Sequence, residues 1–336
     1  MKHRILNILL AAAALLGASS CINDDLQECP NDYYLNVRFE KNMLFVDAFS
    51  TQVRSIDMWV FNSETGQLAY KFSQDGEALA VSDYTVKLPI PAGEYDVVCW
   101  GGMHEDDCFE LDSYEPATIT ELIARLKRLP QDSPLNDLFH GIAHLSYSDN
   151  NVTGSAAPQT RTLYLTRNTN RINVVLINID GTLLRAENYE VNIHAPNGVM
   201  RHDNSMGSSE RVKYSPWAWS QLTAGTDTQY WPDHLPGSPN GVLAEMSVAR
   251  LMANHDQTLS VTRKSDNKEI IRIPLIQNLL LYRGQYHGTM VDQEWLDRNH
   301  EFTLTFILDN SNNWNAAAMI YINSWAVLPI QYQNFD

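Results

Sequence analysis

Apolar and polar residues alternate along most of this chain in short segments set apart by turn residues. Positions 34–39 alternate, and in 53–61 Ile56, Met58 and Val60 fall on one face while Asp57 and Trp59 fall on the other, the two-residue period of a strand. Residues 84–88 repeat the pattern, Pro89-Ile90-Pro91-Ala92-Gly93 turns the chain, and 95–100 runs on to Gly101-Gly102. One helix interrupts the strands. Thr118-Ile119-Thr120-Glu121 has capping-box spacing, Ile119, Leu122, Ile123 and Leu126 share a helical face, and Pro130 follows as a stop.

After a polar stretch over 146–160 the same grammar resumes at 162–166 and 172–179, with a domain boundary placed near Thr166. Residues 189–194 lead to an Asn197-Gly198 turn, 258–262 pair with 269–273 across Ser265-Asp266-Asn267, and 301–308 and 318–327 supply the last strands. Short strands, one short helix in the first domain and no regular strand–helix alternation predict an all-β chain of two β-sandwiches, 33–166 and 167–336. No sequence repeat is visible.

The start of the chain breaks this pattern. Lys2 and Arg4 precede a nearly unbroken apolar run over 5–16, and Ala18-Ser19-Ser20-Cys21 follows. A basic start, an apolar run shorter than a bilayer needs and then small residues describe a secretory leader over 1–20. A cysteine directly after the small residues resembles the lipobox of bacterial lipoproteins, so Cys21 is expected to carry lipid at the head of a linker, 21–32. Asn23, Asp24 and Asp25 resemble the signal that sends lipoproteins of Bacteroidia to the cell surface. At about 0.8 kcal/mol per buried methylene, palmitate-type chains on one cysteine suffice as a membrane anchor.

Charge narrows the partners. The 336 residues carry 24 basic and 40 acidic side chains, a formal net charge of −16, and loss of Lys2 and Arg4 with the leader makes the rest more negative. Such a balance excludes a nucleic-acid surface. The 44% apolar content is that of a folded protein. Besides Cys21 there are Cys29, Cys99 and Cys108, which in an oxidising envelope allow at most one internal disulfide, in any of three pairings.

Reactive chemistry is sparse. His104-Glu105-Asp106-Asp107-Cys108 is the densest group of metal-ligand types, with Cys99 as its one compact companion, and reads as an acidic loop; no metal or cofactor is expected. His140 and His144 would share a helical face, but Gly141 argues against a helix there. No nucleophile elbow, phosphate loop or zinc-protease motif is present, so no catalytic residues, enzymatic activity or small-molecule substrate are expected. Trp217, Trp219 and Trp231 with Tyr214 and Tyr230 could form a stacking platform for sugars.

Several motifs, in order, resemble one family. They are Cys21-Ile22-Asn23-Asp24-Asp25-Leu26-Gln27-Glu28-Cys29-Pro30, Met58-Trp59-Val60-Phe61, Pro91-Ala92-Gly93-Glu94-Tyr95-Asp96-Val97 and Asp137-Leu138-Phe139-His140-Gly141. Leu163-Tyr164-Leu165-Thr166-Arg167 leading to Arg171-Ile172-Asn173-Val174, then Gln293-Glu294-Trp295-Leu296-Asp297-Arg298 and Ile322-Asn323-Ser324-Trp325, complete the set. Together these are similar to the fimbrial anchoring subunits of type V pili, the FimB-type and minor-fimbrium anchor lipoproteins of Bacteroidia. The resemblance implies two transthyretin-like Greek-key β-sandwich domains, outer-membrane anchorage at the base of a fimbrium, control of fimbrial length and pilin subunits as partners. No role transfers to Arg167 or Arg171. An open sheet edge would accept a pilin strand by main-chain pairing, and the expected contact strand is Met319, Tyr321, Asn323, Trp325 and Val327. Glycan binding on the same fold, or a stalk or tip role, is the alternative.

Overall fold

The computed structural model describes residues 32–104, 108–153, 157–178, 180–207, 210–223, 240–315 and 319–327. Its first half holds β1 (Tyr33–Arg38), β2 (Ser55–Asn62), β3 (Leu68–Asp75), β4 (Thr85–Leu88), β5 (Gly93–Gly101), β6 (Phe109–Leu111), β7 (Ala124–Leu126), β8 (Phe139–Tyr147) and β9 (Gln159–Arg167). Short helices α1 (Phe49–Gln52) and α2 (Asn150–Thr153) lie between them. Seven strands join in the order β3-β2-β5-β8-β9-β1-β4. β8 meets β9 only where Phe139, His140 and Gly141 face Arg167, Thr166 and Leu165, so the sheet folds over at that corner. The two limbs enclose one core, into which β1 sends Leu35 and Val37, β2 sends Met58 and Val60, β5 sends Val97 and Cys99, and β9 sends Leu163 and Leu165. This is the sandwich that strict alternation builds.

The second half runs through β10 (Thr169–Asn178), β11 (Tyr189–Ala195), β12 (Val199–Met200), β13 (Val212–Tyr214), β14 (Ala218–Thr223), β15 (Asn240–Ala249), β16 (Thr258–Arg263) and β17 (Lys268–Pro274). Helices α3 (Leu275–Tyr286) and α4 (Asp292–Arg298) then lead to β18 (Glu301–Leu308), β19 (Ile320–Ile322) and β20 (Trp325–Val327). Its sheets are β14-β15-β10-β18-β19-β20 and β13-β11-β16-β17.

Both halves use one wiring. The antiparallel quartet β3-β2-β5-β8 has its counterpart in β13-β11-β16-β17, strand for strand in chain order. In each half the first strand has an antiparallel neighbour on one side, β4 or β15, and a parallel one on the other, β9 or β18. The all-β sandwich class expected from the sequence is present as a mostly-β fold, with one parallel pair per half among the described residues. Backbone wiring repeats even though side-chain sequence does not, because the fold constrains which positions are apolar rather than which apolar residue fills them.

The halves share a core. Trp59 and Phe61 of β2 and Val98 and Trp100 of β5 face away from the first sandwich and are buried in one cluster with Ile172, Val174 and Leu176 of β10. β12 of the second half also pairs with β7 of the first, extending β6-β7 to three strands. The face of Trp59, which alternation alone opposes to the core, is thus covered by the other half. Gly102 is held here as well. Its φ is +85°, and a Cβ on it would lie 1.9 Å from the Asp137 carbonyl oxygen, so no larger residue fits.

Several expectations are corrected. The helix near Thr118 is a single 3-10 turn over Ile119–Glu121, after which Ala124–Leu126 becomes β7. Glu121 accepts from the Ala117 amide at 2.8 Å, as an end cap would, but an isolated helix so short is marginal and the ladder to β6 and β12 prevails. Among the described residues the longest helix is α3, in the second half. Cys99 is a free thiol in the first core, and Cys108 is buried in the shared core, so no bridge joins them. Cys29, like Cys21, Asn23, Asp24 and Asp25, lies outside the described residues. His140 and His144 share a face of strand β8, but four residues at ~3.3 Å each put their backbones about 13 Å apart.

Candidate functional site

The expected contact strand is a hairpin. β19 and β20 pair Ile320 with Val327, Tyr321 with Ala326 and Ile322 with Trp325, and Asn323 and Ser324 turn between them at φ 50° and 70°. Two consecutive left-handed residues make the tight turn that matches strand twist, and asparagine tolerates the first. Asn323 is therefore the bend. Its side-chain oxygen accepts from the Thr303 amide and its own amide donates to the Thr303 carbonyl, both at 2.8 Å, which clips the hairpin to β18.

The bend divides the expected set. Val327 is buried in the shared core beside Ile320 and Ile322, whereas Tyr321 lies on the opposite face and is half-buried. Met319 and Trp325 are exposed at 47% and 52%. β20 ends its sheet, so among the described residues its outer main-chain groups face no further strand. A strand edge, with a large aromatic beside it, is what this end of the molecule offers chemically.

The proposed sugar platform comes only partly together. Tyr214 is buried, its hydroxyl donating to Asn197 Oδ1 at 2.7 Å, and Trp219 on β14 packs against the shared core. Trp217 and Tyr214 line one pocket of about 390 Å³ with Pro130, Gln131, Lys213 and Pro216. Trp231 and Tyr230 lie outside the described residues. Of the acidic loop, His104 pairs with the buried Asp57 at 2.8 Å, and residues 105–107 lie outside the described residues. Among the described residues no three His, Cys, Asp or Glu side chains gather as metal ligands, and no helix is long and apolar enough to cross a membrane.

The seam between the halves holds a charged cleft that sequence reasoning missed. About 500 Å³ in volume, it is lined by Thr51, Gln52, Arg54, Asp137, Arg167, Arg171, His300 and Glu301. Its residues come from α1, the end of β9, the start of β10, the start of β18 and the connections just before β2, β8 and β18, positions up to 250 residues apart in the chain. Arg167 is largely buried and pairs with Asp137; burial holds its guanidinium below its ordinary range. His300 Nε2 donates to the Lys41 carbonyl at 3.2 Å, and burial pushes its pKa down to about 4. The signal that could have drawn notice was the Arg167–Arg171 spacing beside the boundary. Next to the cleft, Arg298 on α4 donates to the Glu40 and Asn42 carbonyls and lies 4.2 Å over the Phe45 ring, binding the loop after β1 to the second half.

Comparison with known proteins completes the description. The family model of fimbrillin-A associated anchor proteins Mfa1 and Mfa2 matches residues 26–328. The minor fimbrium anchoring subunit Mfa2 of Porphyromonas gingivalis is 22% identical over 97% of this chain and 95% of its own, and the solved structure of the fimbrial anchor Mfa2 from that organism superposes with a TM-score of 0.64 at 19% identity, covering 90% of this chain and 100% of the other. A candidate adhesin of Bacteroides thetaiotaomicron is 29% identical with a TM-score of 0.78, over 90% of this chain and 99% of that one. A candidate polysaccharide-binding protein from the same organism is 25% identical with a TM-score of 0.72, over 91% and 100%.

Proposed function

The chain belongs to the family of fimbrillin-A associated anchor proteins, and from that footing we propose that it is a lipid-anchored base subunit which holds a fimbrium on the outer membrane and limits its length. A fimbrial anchoring role at the cell surface follows from the family. The finer reading has four parts. Residues 1–20 direct export, Asn23, Asp24 and Asp25 send the protein to the surface, Cys21 carries the lipid, and two domains, 33–166 and 167–336, stand on the linker 21–32. A pilin subunit pairs with an open sheet edge, for which β20 with Met319, Tyr321 and Trp325 is the favoured place.

The observation that carries this reading is the family match over 26–328, joined to β20, the strand at the margin of its sheet among the described residues. Strand addition uses backbone donors and acceptors, so it needs no catalytic constellation. The function fits a structural protein rather than an enzyme. The test is a Cys21→Ala strain: it should lose palmitate labelling and release fimbriae into the medium, and unchanged surface fimbriation would refute the anchoring account. Deletion of 330–336, or Trp325→Ala, should weaken capture of pilin by the purified protein while leaving its melting temperature within about two degrees.

A second reading, glycan binding, is favoured by the Trp217 pocket and by the likeness to a candidate polysaccharide-binding protein. A flat indole beside prolines and amides suits a sugar ring. If Trp217→Ala leaves retention on a glycan array unaltered, that reading fails while the anchor reading stands.

A further inference from the structure

The seam cleft carries more positive charge than its surroundings explain. The chain as a whole is strongly acidic, at −16. Within the cleft three arginines, Arg54, Arg167 and Arg171, stand against two carboxylates, Asp137 and Glu301. Asp137 is paired with Arg167, while Glu301, across from Arg171 in the β10–β18 ladder, accepts from the Asn173 amide at 3.0 Å and keeps its charge. Arg54 turns two of its nitrogens to the Ser50 and Thr51 carbonyls at 3.3 and 2.6 Å, capping the end of α1, and keeps its charge. Arg171 is exposed and has no side-chain hydrogen bond or ion pair among the described residues, although its charge acts on Arg167. A free guanidinium placed beside another, in a concave polar site, is a like-charge arrangement that an anion relieves.

The geometry points to an anion site in which Arg171, with Arg167 and Arg54 behind it, receives a carboxylate at the seam between the two halves. One uncompensated positive charge suits a monoanion, and Asp137 and Glu301 oppose the denser charge of a phosphate dianion. The planar fork of a guanidinium matches the two oxygens of a carboxylate. Two sources present that group, a free small acid and the acidic end or side chain of a polypeptide. Because β9, β10 and β18 all contribute residues, an occupant there bridges both halves of the molecule.

This inference stands apart from the fimbrial reading, and its test needs only the purified protein. Sodium acetate, inorganic phosphate, a tetrapeptide with a free C-terminal carboxylate and the same peptide amidated would each be titrated at low ionic strength, with binding followed by the amide shifts of 167–173 and by melting temperature. Acetate or the free-carboxylate peptide should saturate and raise the melting temperature, the amidated peptide should do neither, and Arg171→Gln should weaken binding at least fivefold while Arg185→Gln, at an exposed position past the other end of β10, leaves it unchanged. Acetate binding as well as the peptide identifies a free acid as the source; tighter peptide binding identifies a polypeptide. Absence of saturation, equal binding by the amidated peptide, tighter binding of phosphate, or an Arg171→Gln protein that binds as the parent does would overturn the assignment.

Discussion

Arg250 and Asp297 meet through two parallel hydrogen bonds, Nε to Oδ1 at 2.8 Å and Nη2 to Oδ2 at 2.7 Å, with both side chains less than a tenth exposed. The pair fastens the chain just after β15 to α4. Two further hydrogen bonds support it: Arg250 Nη1 donates to the Asn204 carbonyl at 2.7 Å and Gln293 Nε2 donates to Asp297 Oδ1 at 2.9 Å. A buried pair of this kind adds little over an apolar substitute of the same shape but is costly to break from one side.

Asp297→Ala therefore should destabilise the fold by roughly 3–5 kcal/mol, because it strands a guanidinium out of water. The double variant Arg250→Met with Asp297→Leu should recover most of that loss. Urea unfolding of the three proteins provides the check, and a double variant no better than the single one would disprove this account.

Gly102→Ala should cost roughly 3 kcal/mol or more, since the added carbon overlaps the Asp137 carbonyl and the backbone sits at φ +85°. Gly66→Ala is the comparison, also at positive φ (+70°) but with nothing within 4 Å, and should cost only about 1 kcal/mol. Equal melting temperatures for the two would show that close approach at Gly102 does not matter.

Asn323→Ala should loosen the terminal hairpin by about 1–2 kcal/mol, losing the acceptor for the Thr303 amide and forcing alanine into φ 50°. Hydrogen exchange at Thr303 and along β19 should accelerate while β10 keeps its protection. Asn323→Gly, which tolerates the backbone but lacks the acceptor, should fall between. Protection at Thr303 undiminished in the alanine variant would contradict the clip.

Stability should fall with acid before the carboxylates titrate. Burial lowers His140 from 6.5 to about 3 and His300 from 6.5 to about 4, so the unfolded chain takes up each proton first. The contribution is full above pH 6.5 and is lost as pH falls from there toward those folded values, by about 1.4 kcal/mol per pH unit for each group. His140→Gln, able to keep a hydrogen bond to the His202 carbonyl, should flatten the limb between pH 6.5 and 4.5. An unaltered slope would mean that His140 does not titrate on unfolding.

Much of this architecture was legible where local pattern and tertiary need agree. Short alternating or apolar segments located β11 and β18, one face of which meets a core, and β2 and β5, whose two faces meet different cores, and the turn at Asn267 was readable from its residue types. What escaped was set by distant contacts. Ile119, Leu122, Ile123 and Leu126 carry a helical period, yet β6 and β12 recruit that segment as a strand. α3 has apolar residues nearly all round, with Leu275, Ile276, Leu279 and Tyr282 buried, so no amphipathic stripe announced it. The hairpin at Asn323 reads as one continuous strand until its positive φ values are seen. The arginine cleft gathers residues from four separate elements, and no spacing rule reaches across them.

The place of β1 has a mechanical consequence. This strand enters from Asp32 and lies between β4 and β9, not at a margin of its sheet. Traction applied at residue 32 along the strand would stress both ladders lengthwise, so many hydrogen bonds would have to slide together instead of parting one by one like a zip. A chain pulled from that end while something tugs at the other resists by shear, with two sets of main-chain bonds acting at once.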